Sequence, residues 1–291
     1  MGEWQKDFTG KPSRGSGTAG GARWDHGALA RTGREVDVPD GDEEMKFCIV
    51  THNVLRMQGL PEFALVEGGP PDVIETLARL YLALKPQILC LQEVQFAEDA
   101  QRLAELLGMG FRFEPGGVYL KYGGAVFVDL KSPFIYKPIS RLRKGNFERV
   151  CQLVEVRLDN CPVTICNLHL PSGVRHPEDG GENARMREIA EVISFTPDII
   201  VGDMNAEPGS SVYRKLQKAG YVDAAVEAGM ENIPTCGRMR IDYIWIHSRA
   251  CLKLEGYEVV SQAGTIGGDV VRSLSDHLPV SAVLSIGGSK G

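Results

Sequence analysis

The chain has 291 residues, of which 43 % are hydrophobic and 24 % charged, a globular composition that suffices for one large or two small domains. Its net charge of −6 argues against a protein that grips duplex nucleic acid through its overall field, and leaves only a local basic patch open. No apolar run approaches the ~18 residues of a membrane span and no secretory signal pattern is present. The expectation is a soluble, cytoplasmic monomer without a transmembrane segment, with a nuclear location left open.

Residues 1–44 stand apart in composition. They hold nine of the 34 glycines and no apolar run longer than Ala28 to Ala30, too little to offset chain entropy. They are expected to form a disordered tail, with a folded body over 45–287.

The body repeats one pattern, a short apolar run that ends in a residue able to do chemistry. In KFCIVTHNVL, Phe47 to Val50 read as a strand, followed by His52 and Asn53. Val73, Ile74, Leu77, Leu80, Tyr81 and Leu84 recur at helical spacing behind Asp72 as N-cap, with Pro86 as the stop. A buried strand from Gln87 to Leu91 then closes on Gln92 and Glu93. A carboxylate at such a strand end can hold a hard cation; the alternative is an ordinary acidic residue opening the helix Ala97 to Leu107.

FRFEP, GVYLKY, GGAVFVDL and FIYKP read as short antiparallel strands. The stretch after them carries Lys137, Arg141, Arg143, Lys144 and Arg149, which is either a polyanion contact or a solvated loop face. Val163 to Leu168 is a strand that ends in His169, a phosphate contact or proton donor. The helix Glu182 to Phe195 follows, with Arg185 near its start either reaching an anion or simply exposed.

In PDIIVGDMNAEPGS, Ile199 to Val201 read as a buried strand. Asp203 and Asn205 lie two apart at its end, so on an extended backbone both point to one side. A carboxylate that orients or deprotonates water, beside an amide that donates to an oxyanion, suits hydrolysis of an anionic ester; an Asx turn is the plain alternative. In RMRIDYIWIHS, Asp242 sits in an apolar strand and demands a cationic or proton-donating partner. Asp276 and His277 directly precede the last strand.

Seven cysteines without a C-x-x-C pair fit a reducing compartment and offer no zinc cage.

Taken in order, THNVL, LCLQEV, NLHLP, VGDMN, RIDYIW and SDHLPV resemble the endonuclease/exonuclease/phosphatase superfamily, across essentially the whole body. The resemblance implies an α/β (α+β) fold: a four-layer sandwich of two packed mixed β-sheets flanked by helices. It implies a divalent-metal-dependent hydrolase of phosphate esters, using Mg²⁺ with Mn²⁺ as a substitute. Glu93 would ligate the metal, with Asp276 nearby and Asn53 assisting. Asp203 would align or deprotonate the attacking water, and Asn205 and His169 would hold the phosphate. His277, oriented by Asp242, would stabilise the transition state or protonate the leaving group. Arg185 is the candidate substrate contact.

Within the superfamily, abasic-site endonucleases resemble one another in a Tyr where this chain has His169. Inositol 5-phosphatases carry GDxNYR and PxWCDR segments where this chain has GDMNAEP and RMRIDYI. Both readings are disfavoured. A phosphodiesterase or nuclease is expected, acting on a nucleic acid, a nucleotide or a phospholipid headgroup. The alternatives are a phosphomonoesterase, a sphingomyelinase-like enzyme, or a non-catalytic binding protein that ought to have lost Glu93, Asp203 or His277.

Overall fold

The computed structural model describes residues 45–62, 72–130, 147–158, 161–264 and 266–287. The expected tail, the FIYKP strand, and Lys137, Arg141, Arg143 and Lys144 lie outside the described residues.

In chain order the elements are β1 (Lys46–Asn53), α1 (Val73–Leu84), β2 (Ile88–Val94), α2 (Ala97–Leu107), β3 (Met109–Glu114), β4 (Gly123–Asp129), β5 (Cys151–Leu158), β6 (Cys161–His169), α3 (Glu182–Ser194) and β7 (Ile199–Asp203). There follow α4 (Ser211–Lys218), β8 (Tyr221–Asp223), α5 (Ala224–Glu227), β9 (Asp242–His247), β10 (Leu252–Val259), α6 (Gly268–Leu274) and β11 (Val280–Ile286). One sheet runs β10-β11-β1-β2-β4-β3, the other β5-β6-β7-β9-β8. Both are mixed, since β1 and β2 are parallel, as are β6 and β7, while the other described pairs are antiparallel.

Strand periodicity builds the layers. Phe47 and Ile49, Ile88 and Cys90, Val163 and Ile165, Ile199 and Val201, and Ile244 and Ile246 point between the sheets and form the central core. The alternate residues turn outward: Val50, Leu89 and Leu91 pack with α1, α2 and α6, while Cys166, Leu168, Ile200, Tyr243 and Trp245 pack with α3 and α4. The result is the four-layer α/β sandwich, in which each buried aliphatic side chain is worth roughly 1.5–3 kcal/mol. Helix α1 starts where Asp72 accepts from the amides of Ile74 and Glu75 at 2.9 and 3.1 Å.

The segment GVYLKY is not a strand. Its backbone bonds go to the chain before β5 instead of to a ladder: Gly117 N–H donates to Arg149 O at 3.1 Å and Tyr119 N–H to Glu148 O at 2.9 Å. A Cβ at Gly117 would run into Phe147 O, so only glycine permits this approach. Strands β8 and β10 and helices α5 and α6 are further elements the sequence reading did not foresee.

Candidate active site

Along the inward faces the core changes from apolar to polar toward one end of the sandwich. Phe47 and Ile49 are followed by Thr51 and Asn53, Cys90 by Gln92, Ile165 by Asn167 and His169, Val201 by Asp203, and Ile244, in the reversed strand, by Asp242; all these polar residues are buried. Burying them unbonded would cost several kcal/mol in sum, and the structure bonds them to one another. Gln92 Nε2 donates to Thr51 Oγ1 at 2.8 Å and to Asn167 Oδ1 at 2.7 Å, and Asn167 Nδ2 donates to Gln152 Oε1 at 2.8 Å. This amide network stitches the two sheets together beneath the strand ends.

Register sets the next row. His169 pairs with Asp203 and Asp203 with Asp242, so three chemical groups stand side by side on β6, β7 and β9. The close approach of β6 to β7 depends on Gly202, whose φ is 128° and where a Cβ would collide with Leu168 O. Two carboxylates facing each other across strands repel. Here His277 stands between them, its Nδ1 2.8 Å from Asp242 Oδ2 and its Nε2 3.8 Å from Asp203 Oδ2. Thr235 Oγ1 also donates to Asp242 at 2.7 Å. The cationic partner that Asp242 needs is thus His277.

Burial alone would lower the pKa of His277, but the charges of Asp242 and Asp203 and the Asp242 hydrogen bond raise it well above its ordinary value. Burial would likewise raise Asp203, yet the charges of His169 and His277, with the Asn205 amide, hold it well below the usual carboxylate range. Asp203 is therefore a carboxylate and His277 an imidazolium at neutral pH.

Around Asp203 the remaining groups converge. Asn53 Nδ2 donates to Asp203 Oδ2 at 3.1 Å, and His169 Nε2 lies 3.1 Å from the same oxygen. Asn205, at φ 45°, donates its backbone N–H to Asp203 Oδ1 at 2.8 Å and brings Nδ2 to 3.1 Å from His169 Nε2. Glu93 has φ 57° and sits at a bulge in the pairing of β2 with β4, which turns its side chain toward Asn53. Its Oε1 accepts from Asn53 Nδ2 at 3.4 Å and pairs with Arg149 Nη1 at 3.6 Å, both at the long end of their range. The hard oxygen donors of Glu93 and Asn53 suit a Mg²⁺-like cation, which takes one or two carboxylates and keeps several waters.

Among the described residues two clusters of three His, Cys, Asp or Glu ligands lie within 4.8 Å of one another: Asp203, Asp242 and His277, and Cys236, Asp276 and His277. Glu93 is in neither. Asp276, expected beside Glu93, is exposed and stands with Cys236 and His277. Arg185 is half-buried and donates Nη1 to Pro171 O at 2.9 Å, tying α3 to the loop after His169; burial lowers its pKa.

The described end of the basic run supplies a second cation at the site. Arg149 reaches His169 Nε2, donates Nη2 to Ser172 Oγ at 2.8 Å, and lies over the Tyr122 ring at 4.5 Å. In the sequence its only signal was a position abutting the apolar strand β5. Tyr122 and Thr235 gave none, because loops bring them in. His52 is buried between Tyr81 Oη at 2.7 Å and His277 O at 3.1 Å; burial drops its pKa to about 3, so it is a neutral brace. Ser275 Oγ donates to Asn53 O at 2.6 Å and fixes the same turn to β1.

The model of the Endonuclease/Exonuclease/phosphatase family matches residues 50–277. Comparison with curated proteins gives no match. Among solved structures, an endonuclease/exonuclease/phosphatase from Beutenbergia cavernae is 17 % identical with TM-score 0.62, covering 84 % of this chain and 72 % of that one. A family protein from Bacteroides thetaiotaomicron is 15 % identical with TM-score 0.62, covering 83 % and 98 %. D. rerio TDP2 complexed with a single-strand DNA product is 15 % identical with TM-score 0.56, covering 82 % and 99 %.

Proposed function

The chain belongs to the endonuclease/exonuclease/phosphatase family, and on that premise we propose that it is a divalent-metal-dependent phosphodiesterase in which water, held by Asp203, attacks phosphorus. The observation that carries this reading is the Asp203, His277 and Asp242 row, with an ionised carboxylate and an imidazolium 3.8 Å apart.

Asp203 orients the water. Its carboxylate, ionised beside His277, serves to align that water or to take its proton. His277 faces it as a cation. Because Asp242 fixes its proton tightly, it serves to neutralise charge growing on the phosphoryl oxygens, in preference to giving the proton away. Asn205, His169 and Arg149 line the same space and hold the non-bridging oxygens, the guanidinium adding charge and a planar fork. Glu93 and Asn53 would hold the Mg²⁺ or Mn²⁺ ion, which supplies Lewis-acid neutralisation of phosphate charge when bound. Asp276 is retained as a more distant member of that proposal, and Arg185 as a brace for the loop behind His169.

The substrate proposed is a phosphodiester of a nucleic acid, a nucleotide or a phospholipid headgroup, TDP2 bound to single-strand DNA giving weight to the first. An activity panel that sets a phosphodiester against its matching monoester, with Mg²⁺ and with EDTA, tests this. Metal-dependent turnover of the diester is expected; turnover of the monoester alone, or of neither, overturns the reading.

A further inference from the structure

We propose that Cys236, Asp276 and His277 form a metal site, separate from Glu93, that takes a thiophilic divalent cation such as Zn²⁺ and withdraws His277 from hydrolysis when filled. Cys236 is distant in sequence from the adjacent Asp276 and His277, and the fold brings them together. Cys236 and His277 pair as an isolated antiparallel bridge, and Leu278 N–H donates to Thr235 O at 2.7 Å, locking the two short segments in place. On the other side Cys236 closes a tight turn with Met239, through bonds of 3.0 and 2.8 Å.

The three ligand atoms lie within 4.8 Å of one another. Tetrahedral zinc with bonds of about 2.0–2.3 Å sets its ligand atoms ~3.5 Å apart, so modest rotations of the exposed Asp276 and half-buried Cys236 complete the site. His277 Nδ1 is bonded to Asp242 at 2.8 Å and Nε2 lies 3.8 Å from Asp203 Oδ2, so ligation through Nε2 would take the ring's second nitrogen from Asp203. A carboxylate behind a ligating imidazole is the arrangement that orients metal-binding histidines. Three protein ligands and one open position follow, and a groove of about 560 Å³ lined by Thr235, Gly237, Ser275 and Asp276 borders the Asp276 side of the cluster.

The donor set decides the ion. Thiolate with imidazole favours zinc-like cations, whereas Mg²⁺ prefers oxygen and water. On binding, the His277 Nε2–H and the Cys236 S–H each release a proton to solvent, leaving a neutral imidazole that keeps its Nδ1–H on Asp242 and a thiolate.

The binding claim stands apart from the hydrolytic reading; the inhibition claim rests on it. Cd²⁺ titrated into the full chain reports thiolate ligation by charge-transfer absorption, with Cys236→Ser as the test variant and Cys251→Ser as the exposed-thiol control. Expected is one equivalent of absorption that Cys236→Ser loses and Cys251→Ser keeps, both variants melting like the parent. With saturating Mg²⁺ and a phosphodiester, Cys236→Ser should need about 10-fold or more Zn²⁺ for half inhibition. An unchanged Cd²⁺ band in Cys236→Ser overturns the site, and equal Zn²⁺ sensitivity overturns its effect on His277. If no phosphoester is turned over at all, the Cd²⁺ band still decides whether the site exists.

Discussion

At the scale of single residues, the arrangement turns on which group each side chain acts through. In the proposed mechanism Asp242 acts through His277, to which it is bonded at 2.8 Å. His277→Ala and Asp203→Asn are each expected to lower kcat by roughly 100-fold or more, and Asp242→Asn by less, since the imidazole remains. The double variant Asp242→Asn/His277→Ala should be scarcely slower than His277→Ala alone, because two groups acting as one unit are not additive. Multiplying losses in steady-state kinetics would give Asp242 a role of its own. Arg149 calls for a different prediction. Its fork spans Ser172 and His169 while its face lies on Tyr122, a geometry lysine cannot copy. Arg149→Lys should therefore recover little of what Arg149→Ala loses in kcat/KM, and full recovery would reduce its role to bare charge.

At the scale of elements, the backbone devices that aim the site are also its weak points. Gly202→Ala would push β6 from β7 and separate His169 from Asp203; a loss of about 3 kcal/mol or more is expected by chemical denaturation, against the few tenths typical of a surface change. The joint between α3 and the segment before β5 responds to pH. Glu188 on α3 accepts the Glu148 N–H at 2.9 Å while its Oε2 is buried without a partner. Burial, partly offset by that hydrogen bond and reinforced by the Glu148 charge, pushes Glu188 up to about 8 from an ordinary 4.5. A raised carboxyl pKa means the fold binds the proton more tightly than the unfolded chain. Its stabilisation is complete below about pH 4.5 and is lost as pH climbs to about 8. Glu188→Gln keeps the acceptor without the charge, so its melting temperature should decline less than the parent's between pH 5 and pH 8; parallel curves would place the pH response elsewhere.

At the scale of the whole molecule, what was legible in the sequence follows from what decides each feature. Asn53, Glu93, His169, Asp203, Asp242 and His277 could be picked out because each interrupts or ends an apolar run, and the sandwich gathers one end of its inner strands into one place. The bulge that turns Glu93, the positive φ of Asn205 and the stacking of Arg149 on Tyr122 depend on partners distant in sequence and left no local mark. GVYLKY reads as a strand by composition but spends its hydrogen-bonding groups on residues 147–149. Strand β10 is not legible because a bulge between Leu254 and Gly256 breaks its alternation. Residues 1–44 offer nothing apolar enough to pack, so a chain starting at residue 45 is expected to keep the melting temperature and turnover of the full chain; aggregation or lost activity would make that segment part of the fold or site.

If Glu93 and the Asp203–His277 row act as one metal-assisted hydrolytic site, diester turnover against Mg²⁺ concentration, for the parent and for Glu93→Gln and each checked for unchanged melting, will show it. Removing the Glu93 carboxylate should raise the Mg²⁺ needed for half-maximal rate by about 10-fold or more, with EDTA abolishing turnover in both. Superimposable Mg²⁺ curves, or full activity in EDTA, would contradict it.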